Sequence, residues 1–516
     1  MVQQKLTFEE LLKRVQLDYY EETDPVELFH GAIEGYLSKL DPHSTYIRPE
    51  ELAETQDRLQ GSFEGIGIYF EVINNILTVL SPIEGSPAWQ VGLRPGDEIL
   101  KIDGKNAVGL KVHEITDLLK DRKGTTVKIS VRREGEPDLL TFTIVRDQIK
   151  VPSIPYAFKL RPDVGYVKIN RFSAHTARDL ETVLRNLLRS GSKKLILDLR
   201  GNGGGYLEQA VAVANQFLEK GRLLVYTQGR HRSSRENHLA MNHPTVPEDV
   251  PLLVLVDKFS ASASEIVAGA IQDYDRGLIV GHTTFGKGLV QKQFRLKNGG
   301  AVLLTIARYF TPSDRPIQRP FTEDHQAYRE EGYDNYDPNM DPDSLVHKPV
   351  YYTRILKRKV FGEGGVTPDV SVGEDSLRAF ERRLLQRSGG HLFLTFAKFQ
   401  ESEIARRYMG FETFLESYWP GGRELSAFQR FLTEQEIVFS HAEFRASVDW
   451  VKKHMRQAVA YIRWGREAEG RIRILQDGHV AYAIKLFDQA ESLLADRSYS
   501  QGRTYYPGRS SSGGIR

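Results

Sequence analysis

The 516 residues predict a multidomain α/β protein, and three observations carry that reading. The chain is too long for one hydrophobic core and divides into about three or four domains. Between Val164 and Arg308, short apolar runs alternate with segments of helical period, the signature of a layered α/β core with a mainly parallel sheet. From Ser376 to Ala495 the period is helical throughout, with Trp450, Tyr461, Ile462 and Trp464 on the apolar faces.

The elements follow in order. Apolar positions at Leu11, Leu12, Val15, Leu28, Ile33 and Leu37 give two N-terminal helices over Phe8 to Leu40, the second opened by Asp24-Pro25. Asp41-Pro42-His43-Ser44 is a turn. From about Gly61 to Asp147, short β-branched strands such as Ile76 to Leu80 and Val127 to Val131 surround a helix at Val112 to Lys120. The core then reads strand at Val164 to Ile169, helix at Thr176 to Arg189 and strand at Lys194 to Leu199. Next come a helix at Tyr206 to Leu218 and strands at Leu223 to Tyr226 and Leu252 to Val256. A helix at Ser264 to Tyr274 and strands at Leu278 to Gly281 and Val302 to Ala307 complete it. The boundaries are 1–60, 61–149, 150–374 and 375–497. An acidic surface insertion is placed at about 322–348, and 498–516 is read as a disordered tail.

Composition excludes several classes. Hydrophobic residues are 40% and charged residues 27%, as in a soluble globular chain. A net charge of +2 gives no case for nucleic acid or an anionic membrane. Runs such as Leu252 to Val256 are far too short to cross a bilayer. The absence of cysteine removes thiol chemistry, thiolate metal sites and disulfides, and no metal or other cofactor is called for. Met1 to Lys5 leads straight into a helix, which fits a cytosolic chain or a mature exported one trimmed of its signal.

Ser260-Ala261-Ser262-Ala263-Ser264-Glu265 lies between a buried strand and a helix, where α/β proteins collect functional groups. A serine there meets free backbone N–H groups and the positive end of a helix dipole, which also suit an oxyanion. The base candidate is Lys287, flanked by Gly286 and Gly288 and by the apolar Phe285, Leu289 and Val290. It can accept a proton only when neutral, so burial must depress its pKa from roughly 10.4. Gln291, four residues on, can orient the amine without adding charge. His282 and His113 are the nearest histidines by motif, but neither has a triad context. The run Gly201-Asn202-Gly203-Gly204-Gly205 after Asp198 can present N–H groups to an anion. Each signal has a plain rival. Ser262 and Glu265 fit a helix capping box. Lys287 fits a solvated surface lysine, and the glycine run a tight turn. The full nucleotide-loop pattern is absent.

Together these segments resemble the carboxy-terminal processing peptidases, or tail-specific proteases, from about Phe8 to Val372. Leu40 to Tyr46 resembles the motif closing the family's N-terminal helices, and Gly65 to Ile68 with Gly92 to Asp97 its PDZ domain. The segments Asp198 to Gly205, Ser260 to Glu265 and Thr284 to Gln291 resemble its oxyanion, nucleophile and base motifs. The family's serine precedes its lysine by 25 residues, the separation of Ser262 and Lys287, which selects Ser262 over Ser260 and Ser264. The resemblance implies an α/β protease core with an inserted PDZ domain. It implies a serine endopeptidase with catalytic Ser262, Lys287 and Gln291 and an oxyanion hole from Ala263 and Gly204, with Gly205 close behind. The PDZ would take protein tails with apolar C-termini beside Gly65, Ile66, Gly67 and Ile68, with His113 near the tail. It implies an exported, periplasmic or cell-envelope setting beside the cytosolic reading. The rival function is a PDZ adaptor or pseudoprotease that binds tails without cutting. His282 and Lys120 depart from the family pattern. The C-terminal helices lie outside the resemblance. They are read either as a surface for a homo-oligomer or an adaptor protein, or as a cap on the core.

Overall fold

The computed structural model describes residues 2–73, 75–133, 135–321, 328, 348–373, 377–386 and 392–502. The readings placed on the acidic insertion, apart from Tyr328 and Lys348, and on the tail beyond residue 502 lie outside the described residues.

Two helices, Val2–Asp18 and Pro25–Leu37, open the chain, and Asp24 caps the second by accepting from the N–H groups of Val26 and Glu27. The turn at Asp41 leads into a strand, Thr45–Ile47, which pairs antiparallel with Ala301–Phe310. A third helix, Pro49–Gln60, ends at Gly61 in the left-handed region. The N-terminal region is therefore not helices alone: it contributes a strand to the core.

Strands Ser62–Gly65 and Asp147–Lys150 pair as the ribbon by which the chain enters and leaves the PDZ-like unit. Its sheet runs Ile68–Ile73, Ile76–Pro82, Glu98–Ile102, Thr126–Arg132, Leu140–Val145, with Lys105–Asn106 beside Glu98–Ile102. Helices Pro87–Gln90 and Val112–Leu119 close the unit over a core that includes Leu77, Ile99, Ile115 and Ile129. Ile68–Ile73 is an edge strand, so one row of its backbone groups has no partner in the sheet.

The protease-like core holds two sheets. The first runs Tyr156–Arg161, Val164–Lys168, Lys194–Asp198, Leu252–Val256, Leu278–Gly281, Val370–Ser371 and is parallel except for its first pair. The second joins Thr45–Ile47, Ala301–Phe310, Leu223–Gly229 and Glu236–Leu239, with Leu289–Arg295 also on Ala301–Phe310. It is antiparallel throughout. The strands read at Leu223 and Val302 thus belong to a separate sheet, because strand–helix alternation does not say which sheet a strand joins. Helix Ala263–Asp273 is buried along its whole length between the layers.

A parallel sheet needs cover on both faces. Helices Thr176–Arg189, Leu207–Ala214 and Ala263–Asp273 cover one face. The other meets the end of the chain: Val480, Ala483, Leu486, Phe487, Ala490 and Leu493, on helices Gly478–Ile484 and Phe487–Ser500, pack on Tyr166, Ile196, Leu253 and Leu255. The remaining C-terminal helices form their own aromatic-rich core. Ile462 is buried in it and Trp450 and Trp464 are half-buried against it. The long helix Val448–Leu475 breaks at Gly465 (φ 79°, ψ −171°), beside the PDZ-like unit. There the Arg466 guanidinium lies 4.4 Å from the Tyr69 ring centroid.

Candidate active site

Three serines occupy the turn between Leu252–Val256 and Ala263–Asp273, and the fold treats them differently. Ser260 and Ser264 are fully buried. Their hydroxyls donate to the carbonyls of Leu199 (2.9 Å) and Asn202 (2.8 Å), fastening the turn to the glycine-rich loop. Ser262 is half-buried, and its hydroxyl makes no hydrogen bond among the described residues. Its backbone sits at φ 56° and ψ −111°, a region that costs a non-glycine residue about 1–3 kcal/mol. Such a cost is borne where neighbours over-determine the conformation, and here they do.

Glu265 is the first such neighbour. Its fully buried carboxylate accepts from the N–H groups of Ser262 (2.7 Å), Gly286 (2.7 Å) and Lys287 (2.9 Å) and from the Thr284 hydroxyl (2.6 Å). Burial raises its pKa, against the lowering effect of those donors. Tyr309 is the second. Its buried hydroxyl lies 2.6 Å from the Lys287 carbonyl and 3.1 Å from that of Ser262. One side chain gathers the N–H groups of the two motifs and the other gathers their carbonyls. Only half of the capping box is thus formed: Glu265 receives the Ser262 N–H, and the Ser262 hydroxyl is not spent on the helix. The bridging role of Glu265 and the part of Tyr309 escape a reading of the sequence, because their partners lie 19 to 22 and 22 to 47 residues away.

The Lys287 amine donates to Gln291 Oε1 at 2.8 Å. No hydrogen bond joins it to Ser262 among the described residues; such bonds are often long before substrate binds. Gln291 in turn donates its amide to the His43 carbonyl, which fixes the oxygen toward the lysine. The His43 loop is set by Asp41, which accepts from the Ser44 hydroxyl (2.6 Å), the N–H groups of His43 and Ser44 and the Thr305 hydroxyl. Burial lowers the Lys287 pKa, opposed by the charges of Glu265 and Asp41. Two carboxylates therefore stand near the lysine, although Gln291 itself is neutral. The His43 ring meets the Tyr328 hydroxyl at 3.1 Å.

The glycine-rich loop completes the site. Gly204 (φ 105°) lies so close to the nucleophile turn that an added Cβ would come within 2.8 Å of Ser262 Cβ and 3.1 Å of the Ala263 nitrogen. Gly205 faces elsewhere: a Cβ there would lie 2.1 Å from the Phe172 carbonyl oxygen. The Gly204 N–H donates to Asn202 Oδ1 at 2.9 Å. Below the loop, Asp198 is fully buried. Burial works to raise its pKa, but Lys168 and Arg200 outweigh it and hold the carboxyl well below its usual range. Arg200 also reaches Asp477 of the C-terminal helices at 2.9 Å.

The other predicted positions are dispersed. In the PDZ-like unit Gly65 and Gly67 are buried. Ile66 is 2% exposed and points into the unit's core. Ile68 packs partly on that core, and the Gly67 carbonyl accepts from Ser86 Oγ. His113 is exposed at the start of Val112–Leu119. Lys120, at the end of that helix, lies 5.5 Å from the Phe63 ring centroid on the connecting ribbon. His282 faces His479 of the C-terminal helices, with ring centroids 5.7 Å apart.

Comparison with known proteins adds identity to this geometry. Residues 163–327 match peptidase family S41 and residues 65–144 match the PDZ domain. The chain is 38% identical over 315 residues to a carboxy-terminal-processing protease of Bartonella bacilliformis, covering 60% of this chain and 72% of that one. It is 37% identical over 308 residues to carboxy-terminal processing protease CtpA of Bacillus subtilis, covering 60% and 65%. The structure of a photosystem II D1 C-terminal processing protease aligns at 27% identity over 71% of this chain and 87% of that one, with a TM-score of 0.37. The chain belongs to the carboxy-terminal-processing serine proteases of peptidase family S41, with a PDZ domain set into its protease core.

Proposed function

We propose that the protein cuts polypeptides near their C-termini through an acyl-enzyme formed on Ser262. The observation that carries this reading is the uncommitted, half-exposed Ser262 hydroxyl at a helix start, with its backbone stapled to that of Lys287. Neutral Lys287 takes the hydroxyl proton as Ser262 attacks the scissile carbonyl. A neutral amine has two N–H donors and one lone pair. Gln291 Oε1 accepts one donor and leaves the lone pair for the serine. The lysine then gives the proton to the leaving amine, and water, deprotonated by the same lysine, cleaves the ester. The N–H groups of Ala263 and Gly204 stabilise the oxyanion. A full negative charge competes better for the Gly204 N–H than the neutral Asn202 carboxamide does. An apolar-ended tail adds as a strand beside the edge strand Ile68–Ile73, its carboxylate held by backbone N–H groups at Gly65 to Ile68. His113, exposed, is a rim residue at most.

Incubation of the protein and of Ser262→Ala with an unfolded substrate tests the reaction. Cleavage by the first alone supports it. Equal cleavage, or none by either, sinks it. The unformed Ser262–Lys287 hydrogen bond favours the rival reading, a tail binder that does not cut, and the no-cleavage outcome would select it. Gly204→Ala is expected to lower kcat by about 10²-fold, the loss typical of removing one oxyanion donor, because Cβ displaces the loop from Ser262. A normal kcat in that variant would remove Gly204 from the oxyanion hole.

A further inference from the structure

The two glycines beside Lys287 are explained by what packs on them. A Cβ on Gly286 would come within 3.1 Å of Arg319 Cβ, and one on Gly288 within 2.5 Å of the Gln318 nitrogen. Hydrogen bonds join the same segments. The Arg319 N–H donates to the Gly286 carbonyl at 3.0 Å, and Gln318 Oε1 accepts the Gly288 N–H at 2.9 Å. Gln318-Arg319 therefore lies directly against the turn that carries the lysine.

Tyr328 joins this segment to the His43 loop. It falls within the span read as a surface insertion, yet it is 2% exposed. Its ring serves packing. The Arg319 guanidinium lies 3.8 Å from the ring centroid and also donates to the Tyr328 carbonyl. The rings of His43, Phe285 and Phe321 meet it edge-on, at centroid distances of 5.5, 6.3 and 6.0 Å. Its hydroxyl has different partners. Gln318 Nε2 donates to it at 3.0 Å, and His43 Nε2 lies 3.1 Å away. Because Gln318 Oε1 is taken by the Gly288 N–H, the end of that carboxamide facing Tyr328 is the donor. The hydroxyl accepts there and has its own proton to give to His43.

Both partners of the hydroxyl stand one step from the base. The His43 carbonyl receives the Gln291 amide, and Gln291 holds the Lys287 amine at 2.8 Å. Gln318 holds the N–H that follows the lysine in the chain. A phenylalanine would make the same ring contacts with no polar atom to bury, so packing alone gives the hydroxyl no use. Placement does: an error of about 1 Å in a reacting group can cost on the order of 10²-fold in rate. We propose that Tyr328 is a positioning residue for the peptidase reaction, its hydroxyl tying the His43 loop to Gln318 and so fixing, by two routes, where the Lys287 amine sits. This rests on the peptidase reading and adds to it a residue that no motif marks.

Tyr328→Phe keeps the ring and removes the hydroxyl. It is expected to lower kcat about tenfold with KM and melting temperature little changed, since the order of the base is felt in the transition state and not in substrate binding. His43→Phe, which keeps an aromatic ring and the carbonyl that receives Gln291, should do the same and serves if Tyr328→Phe does not fold. In a Gln291→Ala background Tyr328→Phe should cost less than about twofold, because residues acting through one another are not additive. An unchanged kcat in Tyr328→Phe, a loss that appears in KM instead, or full multiplication with Gln291→Ala overturns the assignment and leaves the peptidase reading standing. Hydrogen exchange in the Ser262→Ala chain needs no turnover. There Tyr328→Phe should speed amide exchange over residues 284–291 several-fold and leave that of the PDZ domain unchanged. If the unsubstituted chain does not cleave, the peptidase reading falls and exchange decides the rest: faster exchange over 284–291 keeps the hydroxyl as what positions this turn, and equal exchange overturns it.

Discussion

Lys287→Arg should lower the rate of peptide cleavage by about 10³-fold while leaving the fold intact, because arginine keeps its proton at every pH a protein survives and cannot serve as base. The same chemistry sets the pH profile. The proposed mechanism requires the deprotonated amine, so kcat/KM is expected to rise with pH through the Lys287 pKa and to reach its plateau above it. Burial places that pKa below 10.5, with Glu265 and Asp41 working against the shift. Asp41→Asn removes one of the opposing charges, so the acid limb should move to lower pH. A limb that stays in place, or moves up, would show that Lys287 is not the group titrating. A chain whose rate is indifferent to Lys287→Arg would have a different base altogether.

Ending the chain at Asp477 should prevent the protease core from folding. The deleted segment removes Val480, Leu486, Phe487 and Leu493 from the underside of the parallel sheet. Each buried side chain of this size contributes about 1.5–3 kcal/mol, so the four together amount to roughly 6–12 kcal/mol. That is comparable to the whole stability of a domain, about 5–15 kcal/mol. The expected outcome is insoluble or molten protein, read by soluble yield and the thermal melt. A truncated chain with an unchanged melt would mean the helices are accessory, and its mass in solution would then decide whether they serve assembly.

Much of this was legible beforehand for definite reasons. Strands such as Leu252–Val256 are apolar at every position, which only a doubly covered strand is. The same fact held an unused clue: the three core helices lie on one face, so another part of the chain had to cover the second. Family spacing singles out Ser262 among three serines, and the structure sets it apart by another route: the hydroxyls of Ser260 and Ser264 have acceptors, and among the described residues that of Ser262 has none. Glu265 was visible only as a cap, because a local pattern reveals local partners. Tyr309 carries no sequence signal: a strand tyrosine looks alike whether its hydroxyl meets water or two backbone carbonyls of distant segments. The hairpin of Leu289–Arg295 and Ala301–Phe310 was half seen, and the membership of its sheet depended on pairing with Thr45–Ile47, far away in the chain.

The break at Gly465 bears on how the PDZ domain can travel. The domain is joined to the core by the ribbon of Ser62–Gly65 and Asp147–Lys150, and it meets the C-terminal helices through Arg466 on Tyr69 and through Lys398, whose amine lies 3.9 Å from the Glu98 carboxylate. A body pinned at one point can tumble in all directions; each further contact takes away part of that freedom. While the Arg466 and Lys398 contacts hold, the PDZ domain is kept in one orientation against the C-terminal helices. Without those contacts the two-stranded ribbon alone would set where the domain points.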